Sequence, residues 1–175
     1  FLEEKLKQYP GHRFFVFVNG HFSSTLSDIQ SMPEGLSLTV ESTSEQEWDV
    51  KYHPFAVLNA ALMTEELSIC VEKNVKLAMP MHILFLQTEE DQFINCPRYN
   101  VHAGENSELT LIEEHVSYLA TNYFTNTLVE INAGPQSKVC YYKIQQEDIF
   151  LYLHLSQVCL VQLIALLQSR QITYL

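Results

Sequence analysis

Apolar positions recur along the chain at two different intervals. In FLEEKLKQY, residues 1–9, Leu2, Leu6 and Tyr9 stand at helical spacing and the run breaks at Pro10-Gly11, which predicts the closing turns of a helix. RFFVFVNGHF, residues 13–22, is β-branched and aromatic and closes on Asn19-Gly20, a strong short hairpin signal. GLSLTVES, residues 35–42, alternates Leu36, Leu38 and Val40 with polar neighbours and predicts another strand. The polar STSEQEWD, residues 42–49, reads as a linker, so residues 1–48 are expected to form a small N-terminal α+β lobe with its linker. HPFAVLNAALMTEEL, residues 53–67, predicts a short helix after Pro54, with Phe55, Leu58, Ala61 and Leu62 on one stripe that plugs or caps the strands C-terminal to it.

From Ser68 the period falls to two. SICVEKNVKLAMPMHILFLQ, residues 68–87, puts Val75, Leu77, Met79, Met81, Ile83 and Phe85 on one face. The same plan returns in NVHAGENSELTLIEE (100–114) and EINAGPQSKVCYYKI (130–144), where Ala103-Gly104 and Ala133-Gly134 are each followed by Ser107 and Ser137 at the same distance. Aligning Asn74, Asn106 and Gln136 gives spacings of 32 and 30 residues. A repeat of that length with no helix between units predicts a wound chain, a β-helix over residues 49–162, because each unit offers an apolar face that only its neighbours can bury. Glycine supplies the corner and the Asn/Gln column supplies hydrogen bonds from coil to coil. Hairpins of an ordinary sheet would give the same alternation, and periodicity alone leaves both open.

Composition narrows the partners. The 175 residues are 47% hydrophobic and 18% charged, enough for one sizeable core, and the net charge is −11 from 21 acids against 10 bases. No stretch clusters Lys and Arg, so nucleic acid and anionic membrane are poor partners. Cys70, Cys96, Cys140 and Cys159 are widely spaced, and the N-terminus carries no basic-then-apolar leader pattern, which suggests reduced thiols in a cytoplasmic or organelle-stroma setting. VCLVQLIALL, residues 158–167, is too short for a bilayer span of about 20 residues.

Candidate chemistry is sparse. Glu113-Glu114-His115, with Ser117 near, has the residue types for proton transfer, but neighbours in a strand point to opposite faces, so Glu114 and His115 cannot share a site. A solvated strand end is the expected reading. His82, His102, His115 and His154 with the four cysteines could assemble a zinc or iron site across coils. No pair has ligand spacing, and Cys70, Cys140 and Cys159 lie in apolar runs as small core residues do. In NCPRYN, residues 95–100, Arg98 beside Cys96 could lower the thiol pKa, although a loop between coils explains the segment as well. Glu65-Glu66 and Glu89-Glu90-Asp91 read as solvated turns. Four Asp (28, 49, 91 and 148) give no support to a carboxylate-rich polysaccharide-cleaving groove, and no Gly-rich phosphate loop is present. The expectation is no catalytic, no cofactor-binding and no metal residue.

Four ordered stretches carry a resemblance: FFVFVNGHFSSTLSDIQSMPEGLSL (14–38), HPFAVLNAALMTEELSICVEKNVKLAMPMHILF (53–85), CPRYNVHAGENSELTLIEEHVSY (96–118) and YFTNTLVEINAGPQSKVCYYKIQQE (123–147). Together they resemble the SufB/SufD family of iron–sulfur cluster assembly proteins, and FVNGHFS with PEGL points to SufD. The resemblance implies a right-handed parallel β-helix, here incomplete, behind a small α+β lobe. It further implies a scaffold without enzymatic activity in a SufBCD complex with SufB-like and SufC-like partners, where SufC binds ATP and the complex assembles the cluster. The family's cluster-site residues and SufC-binding segment belong to later parts than this chain contains, so no site residue is carried over. After YLHLSQVCLVQ (152–162) the pattern departs: Leu163, Ile164 and Leu167 in LIALLQSRQITYL fall at helical spacing, so residues 163–175 read as a helical tail of a fragment, a frameshifted product or a natural short form. An end covered only by that tail would favour a homodimer. The alternative function is a β-helix enzyme acting on carbohydrate or acyl groups with His115 or His154 as base.

Overall fold

The computed structural model describes residues 2–42, 51, 53–88, 93–117, 123–146, 153–161 and 166–173. These form two helices, α1 (Leu2–Gln8) and α2 (Pro54–Leu62), and strands β1 (Arg13–Val18), β2 (His21–Ser23), β3 (Leu36–Glu41), β4 (Glu66–Val71), β5 (Met81–Gln87) and β6 (Phe93–Asn95). They continue with β7 (Arg98–Ala103), β8 (Glu108–Ser117), β9 (Tyr123–Ala133), β10 (Lys138–Gln146), β11 (Leu153–Val161) and β12 (Leu166–Thr173). The strands make two sheets. The first has the order β12-β10-β8-β5-β1-β2 and the second β11-β9-β7-β4-β3, with β6 also beside β9.

From β4 onward the chain alternates between sheets, β4 in the second, β5 in the first, β7 in the second, β8 in the first, and so to β12. Each return lies parallel to the strand laid down one turn earlier, as in β4–β7–β9–β11 and β5–β8–β10–β12. Parallel neighbours cannot be joined by a tight hairpin, and here the crossover runs through the other sheet. The fold is therefore mainly β, with two largely parallel sheets face to face, β2 and β3 joining their edges antiparallel, as the period-two pattern predicts for the strands.

The turns are built alike. Asn74, Asn106 and Gln136 hold left-handed backbone, with φ of 64°, 56° and 58°, a conformation amide side chains tolerate better than branched ones. Asn106 Nδ2 donates to Asn74 Oδ1 at 2.9 Å, so the expected amide column exists between these turns. Backbone bonds repeat with it: Gly104 N to Val71 O at 2.8 Å, then Gly134 N to Ala103 O at 2.7 Å. Gly104 and Gly134 serve by close approach rather than by positive φ, since a Cβ on Gly104 would sit 2.6 Å from Lys73 N and one on Gly134 would sit 2.9 Å from Ala103 O.

The main core lies between the sheets. Phe15, Phe17, Met81, Ile83, Phe85, Leu109 and Leu111 from the first sheet meet Leu67, Ile69, Val71, Val101, Val129 and Ile131 from the second. Leu36 belongs to it, and β1 and β3 extend the two sheets beside β5 and β4, so residues of the N-terminal 48 share the core of the wound part. A second cluster on the outer face of the first sheet, Phe14, Val16, Leu84, Leu86 and Val116, is covered by Leu2, Leu6 and Tyr9 of the α1 segment. The Asn19-Gly20 hairpin is present, with β1 and β2 antiparallel and φ of 50° and 88° at the two turn residues.

Several expectations are corrected. The α2 stripe faces outward, with Phe55 42%, Leu58 36% and Leu62 48% exposed, whereas Ala56 and Asn59 are buried. Asn59 sets this orientation: its amide donates to Asn126 O at 2.7 Å and Pro97 O at 3.2 Å, and Asn126 Nδ2 returns a bond to Phe55 O. Buried backbone carbonyls demand donors, and that demand outweighs a short apolar stripe. The run over 68–87 is two strands with a turn between, and Met79 is exposed. The tail read as helical contains β12, parallel to β10; a free parallel edge satisfies its backbone groups, and short apolar runs fit either period. Most of the 42–49 linker and the Glu89-Glu90-Asp91 turn lie outside the described residues.

Candidate functional site

Alternation along β8 sends Glu113 and His115 inward and Glu114 outward. The strand end is not solvated: Glu113, Glu114 and His115 are all buried. Glu113 sits between the sheets in register with Ile83 on one side and Lys143 on the other. Its carboxylate takes four donors. Tyr99 and Tyr141 each give a hydroxyl proton to Oε2 at 2.7 Å, while Lys143 Nζ lies 2.9 Å and His115 Nε2 2.6 Å from Oε1. His115 in turn stacks on Phe85, with centroids 4.5 Å apart and planes 8° from parallel.

Burial is the largest influence on Glu113 and would raise its pKa, yet the Lys143 ammonium and the His115 hydrogen bond and charge outweigh it and hold the carboxyl well below its usual range. The tyrosines shift the other way: burial first, then the Glu113 charge, push Tyr99 and Tyr141 up, so both stay protonated donors. With its two oxygens engaged by four donors and enclosed in the core, Glu113 is a saturated structural centre. His115, the base of the alternative enzymatic reading, is enclosed with it. Residue types alone do not reveal this group, although the 30-residue spacing that aligns the turns also aligns Glu113 with Lys143.

A second ionic group lies on the outer face of the second sheet. Arg98, 1% exposed, places Nη2 2.5 Å from Glu130 Oε1 and Nε 3.3 Å from Glu66 Oε1. Asn100 Nδ2 donates to Glu66 Oε1 at 2.7 Å and to Ser68 Oγ at 2.8 Å. Glu66 is thus buried and paired, and Glu65 Oε1 accepts from Phe22 N at 2.5 Å, so neither is a solvated turn residue. Arg98 spends its charge on these carboxylates. Cys96 is affected instead by burial, which pushes its thiol up to about 11, opposite to the activation that an adjacent arginine suggests.

Cys70 is exposed, not a core residue, and Cys140 is half-buried. Register places Ser37, Cys70, His102 and Asn132 side by side across β3, β4, β7 and β9. An open concavity of about 590 Å³ is lined by Cys70, Lys73, His102, Gly104, Asn132 and Gly134 among others. It exists partly because the two stacked glycines leave no side chain there. Ser117 ends β8. The side chains of His154 and Cys159 lie outside the described residues. Glu114 and His82 meet on the outer face of the first sheet, His82 Nε2 standing 2.8 Å from Glu114 Oε2 and Lys5 Nζ 2.6 Å from Oε1. Among the described residues no three His, Cys, Asp or Glu side chains converge as a metal site, and no helix is long and apolar enough to cross a membrane.

Two comparisons bear on these coils. The family model described as SUF system FeS cluster assembly, SufBD core domain, matches residues 85–170, from Phe85 in β5 to Arg170 in β12. It therefore runs past residue 162, where the sequence pattern is expected to depart. An iron–sulfur cluster assembly SufBD family protein of Synechocystis sp. is 28% identical over an alignment 154 positions long that covers 76% of this chain and 34% of that protein. The chain spans about a third of that relative's length. Both comparisons point to the SufB/SufD family of iron–sulfur cluster assembly proteins, the family model over residues 85–170.

Proposed function

We propose that the chain is a SufD-like structural component of a SufBCD complex that supports iron–sulfur cluster assembly, in company with SufB-like and SufC-like proteins. The observation that carries this reading is the coincidence of the SufBD core match, residues 85–170, with the strands that alternate between the two sheets. In this reading the coils are those of a right-handed parallel β-helix. The chain is a scaffold rather than an enzyme, ATP is bound by the SufC-like partner, and the setting is the cytoplasm or an organelle stroma. FVNGHFS and PEGL in the N-terminal part favour SufD over SufB. The saturation of Glu113 fits a scaffold, since a carboxylate committed to four internal donors has no capacity left for substrate.

The test is co-expression of the tagged chain, and separately of any longer product of its gene, with SufB-like and SufC-like proteins from the same genome. Recovery of a stoichiometric assembly containing both partners is expected. Failure of both forms to retain either partner, in low and moderate salt, overturns the reading.

A further inference from the structure

We infer that His12 and His82 form a two-imidazole site for a borderline divalent transition ion such as Zn²⁺ or Ni²⁺, on the outer face of the first sheet beneath α1. The two residues are 70 positions apart, and their Nδ1 atoms face each other at 3.3 Å. Two imidazole nitrogens bound at about 2.0–2.1 Å to one tetrahedral ion stand roughly 3.3–3.4 Å apart, so the spacing suits a bridging ion as well as a hydrogen bond.

His82 is fully buried, with Nε2 2.8 Å from Glu114 Oε2 and Nδ1 on the side of the ring that faces His12. A carboxylate behind a histidine is the usual outer partner of a metal-bound imidazole, fixing the ring and raising its basicity. Glu114 is itself fixed by Lys5 Nζ at 2.6 Å. Tyr9 stacks on His12 at 5.2 Å and meets His82 edge-on at 4.8 Å, and Phe14 stacks on His82 at 4.7 Å, so both rings are held in place before any ion arrives. His12 is only half-buried, so water completes the coordination and the ion exchanges. No third protein ligand converges among the described residues, which favours modest affinity and the order Ni²⁺ or Cu²⁺ above Mn²⁺, with no response to Mg²⁺ or Ca²⁺.

The test is equilibrium dialysis of the full chain against Zn²⁺ and Ni²⁺, with binding read by metal analysis and folding by circular dichroism. One ion per chain is expected, with at least tenfold weaker binding in His12→Ala and a tenfold or greater loss in Glu114→Gln, the range typical for an outer-shell partner. His102→Ala is expected to keep the ion. Binding that survives His12→Ala, or that is lost in His102→Ala and so belongs to the Cys70 concavity, overturns the inference. So does a chain that takes up no ion, where the two rings share a hydrogen bond only.

Discussion

Replacing Gly104 with alanine probes the winding directly. The added Cβ would lie 2.6 Å from Lys73 N, 2.8 Å from Glu72 C and 2.9 Å from Val71 O, all backbone atoms of the preceding turn. No rotamer change relieves contacts with backbone. Relief to ordinary van der Waals distance requires the turns to part by about 0.8 Å, which stretches the Gly104 N to Val71 O bond, now 2.8 Å. Overpacking of this kind costs about 1–3 kcal/mol, a weakened backbone bond adds about 1, and the smaller conformational freedom of unfolded alanine returns about 0.4–1. The net is a loss of about 2 kcal/mol, or roughly 4–8 °C in Tm for a chain of this size.

Gly134→Ala meets its nearest atoms at 2.9, 2.9 and 3.0 Å, so it should lose less, about 1 kcal/mol. Glu108→Ala removes an exposed ion pair with Lys76 and should barely move the transition. Urea unfolding followed by circular dichroism measures all three. Equal and small effects, or a Gly104→Ala chain as stable as its parent, would refute the close-approach argument.

Other substitutions test the remaining contacts. Lys143→Met strips the cation from a fully buried Glu113 and should cost about 3–5 kcal/mol in the same urea assay, far more than any surface lysine change. Because the folded Glu113 carboxyl lies well below its ordinary value of 4.5, its contribution is complete above that value and is lost as pH falls through the folded pKa. Stability should therefore hold from pH 7 to 5 and decline in stronger acid, with a shallower decline in Glu113→Gln when urea midpoints are compared. Asn106, at φ 56°, should tolerate glycine but lose about 1–2 kcal/mol as valine, read by thermal unfolding. A thiol reagent at pH 8 should label exposed Cys70 rapidly and Cys96, held near 11 by burial, only on unfolding; equal labelling rates by mass spectrometry would contradict the burial assigned to Cys96.

What could be read from the residues divides by the kind of constraint. Turn chemistry was legible because left-handed backbone and close strand approach admit few side chains: Asn19-Gly20, the Asn74, Asn106 and Gln136 column, and Gly104 with Gly134 announce themselves. Facing was legible where alternation places Met81, Ile83 and Phe85 inward. It failed at Glu113 and His115, because alternation predicts apolar residues inside and cannot foresee that Tyr99, Tyr141 and Lys143 arrive from other turns to satisfy a carboxylate. It failed at α2 for the converse reason, since Asn59 looks like a solvent residue until Pro97 and Asn126 present their carbonyls. His12 and His82 met for a reason no spacing encodes: β1 and β5 are neighbours in the first sheet, with Phe14 opposite His82.

The Glu113 centre also bears on how the coils keep their alignment. Parallel strands lined by aliphatic side chains can slide by two residues and still face the same way, so burial alone sets register weakly. A two-residue slip of β10 on β8 would put Tyr141 or Gln145 where Lys143 now faces Glu113, leaving a carboxylate in the core without its cation. The cost of that unpaired charge far exceeds the change in apolar contact from the same slip. Tyr99 on β7 ties the second sheet to the same oxygen pair, so one carboxylate aligns strands of both sheets at once. The amide pair Asn74–Asn106 does this at the turns, where solvent weakens each bond, and Glu113 does it in the interior, where a missing partner is felt in full. A wound β chain whose neighbouring strands are otherwise alike needs such points, because identical apolar faces stack in any register that preserves their period.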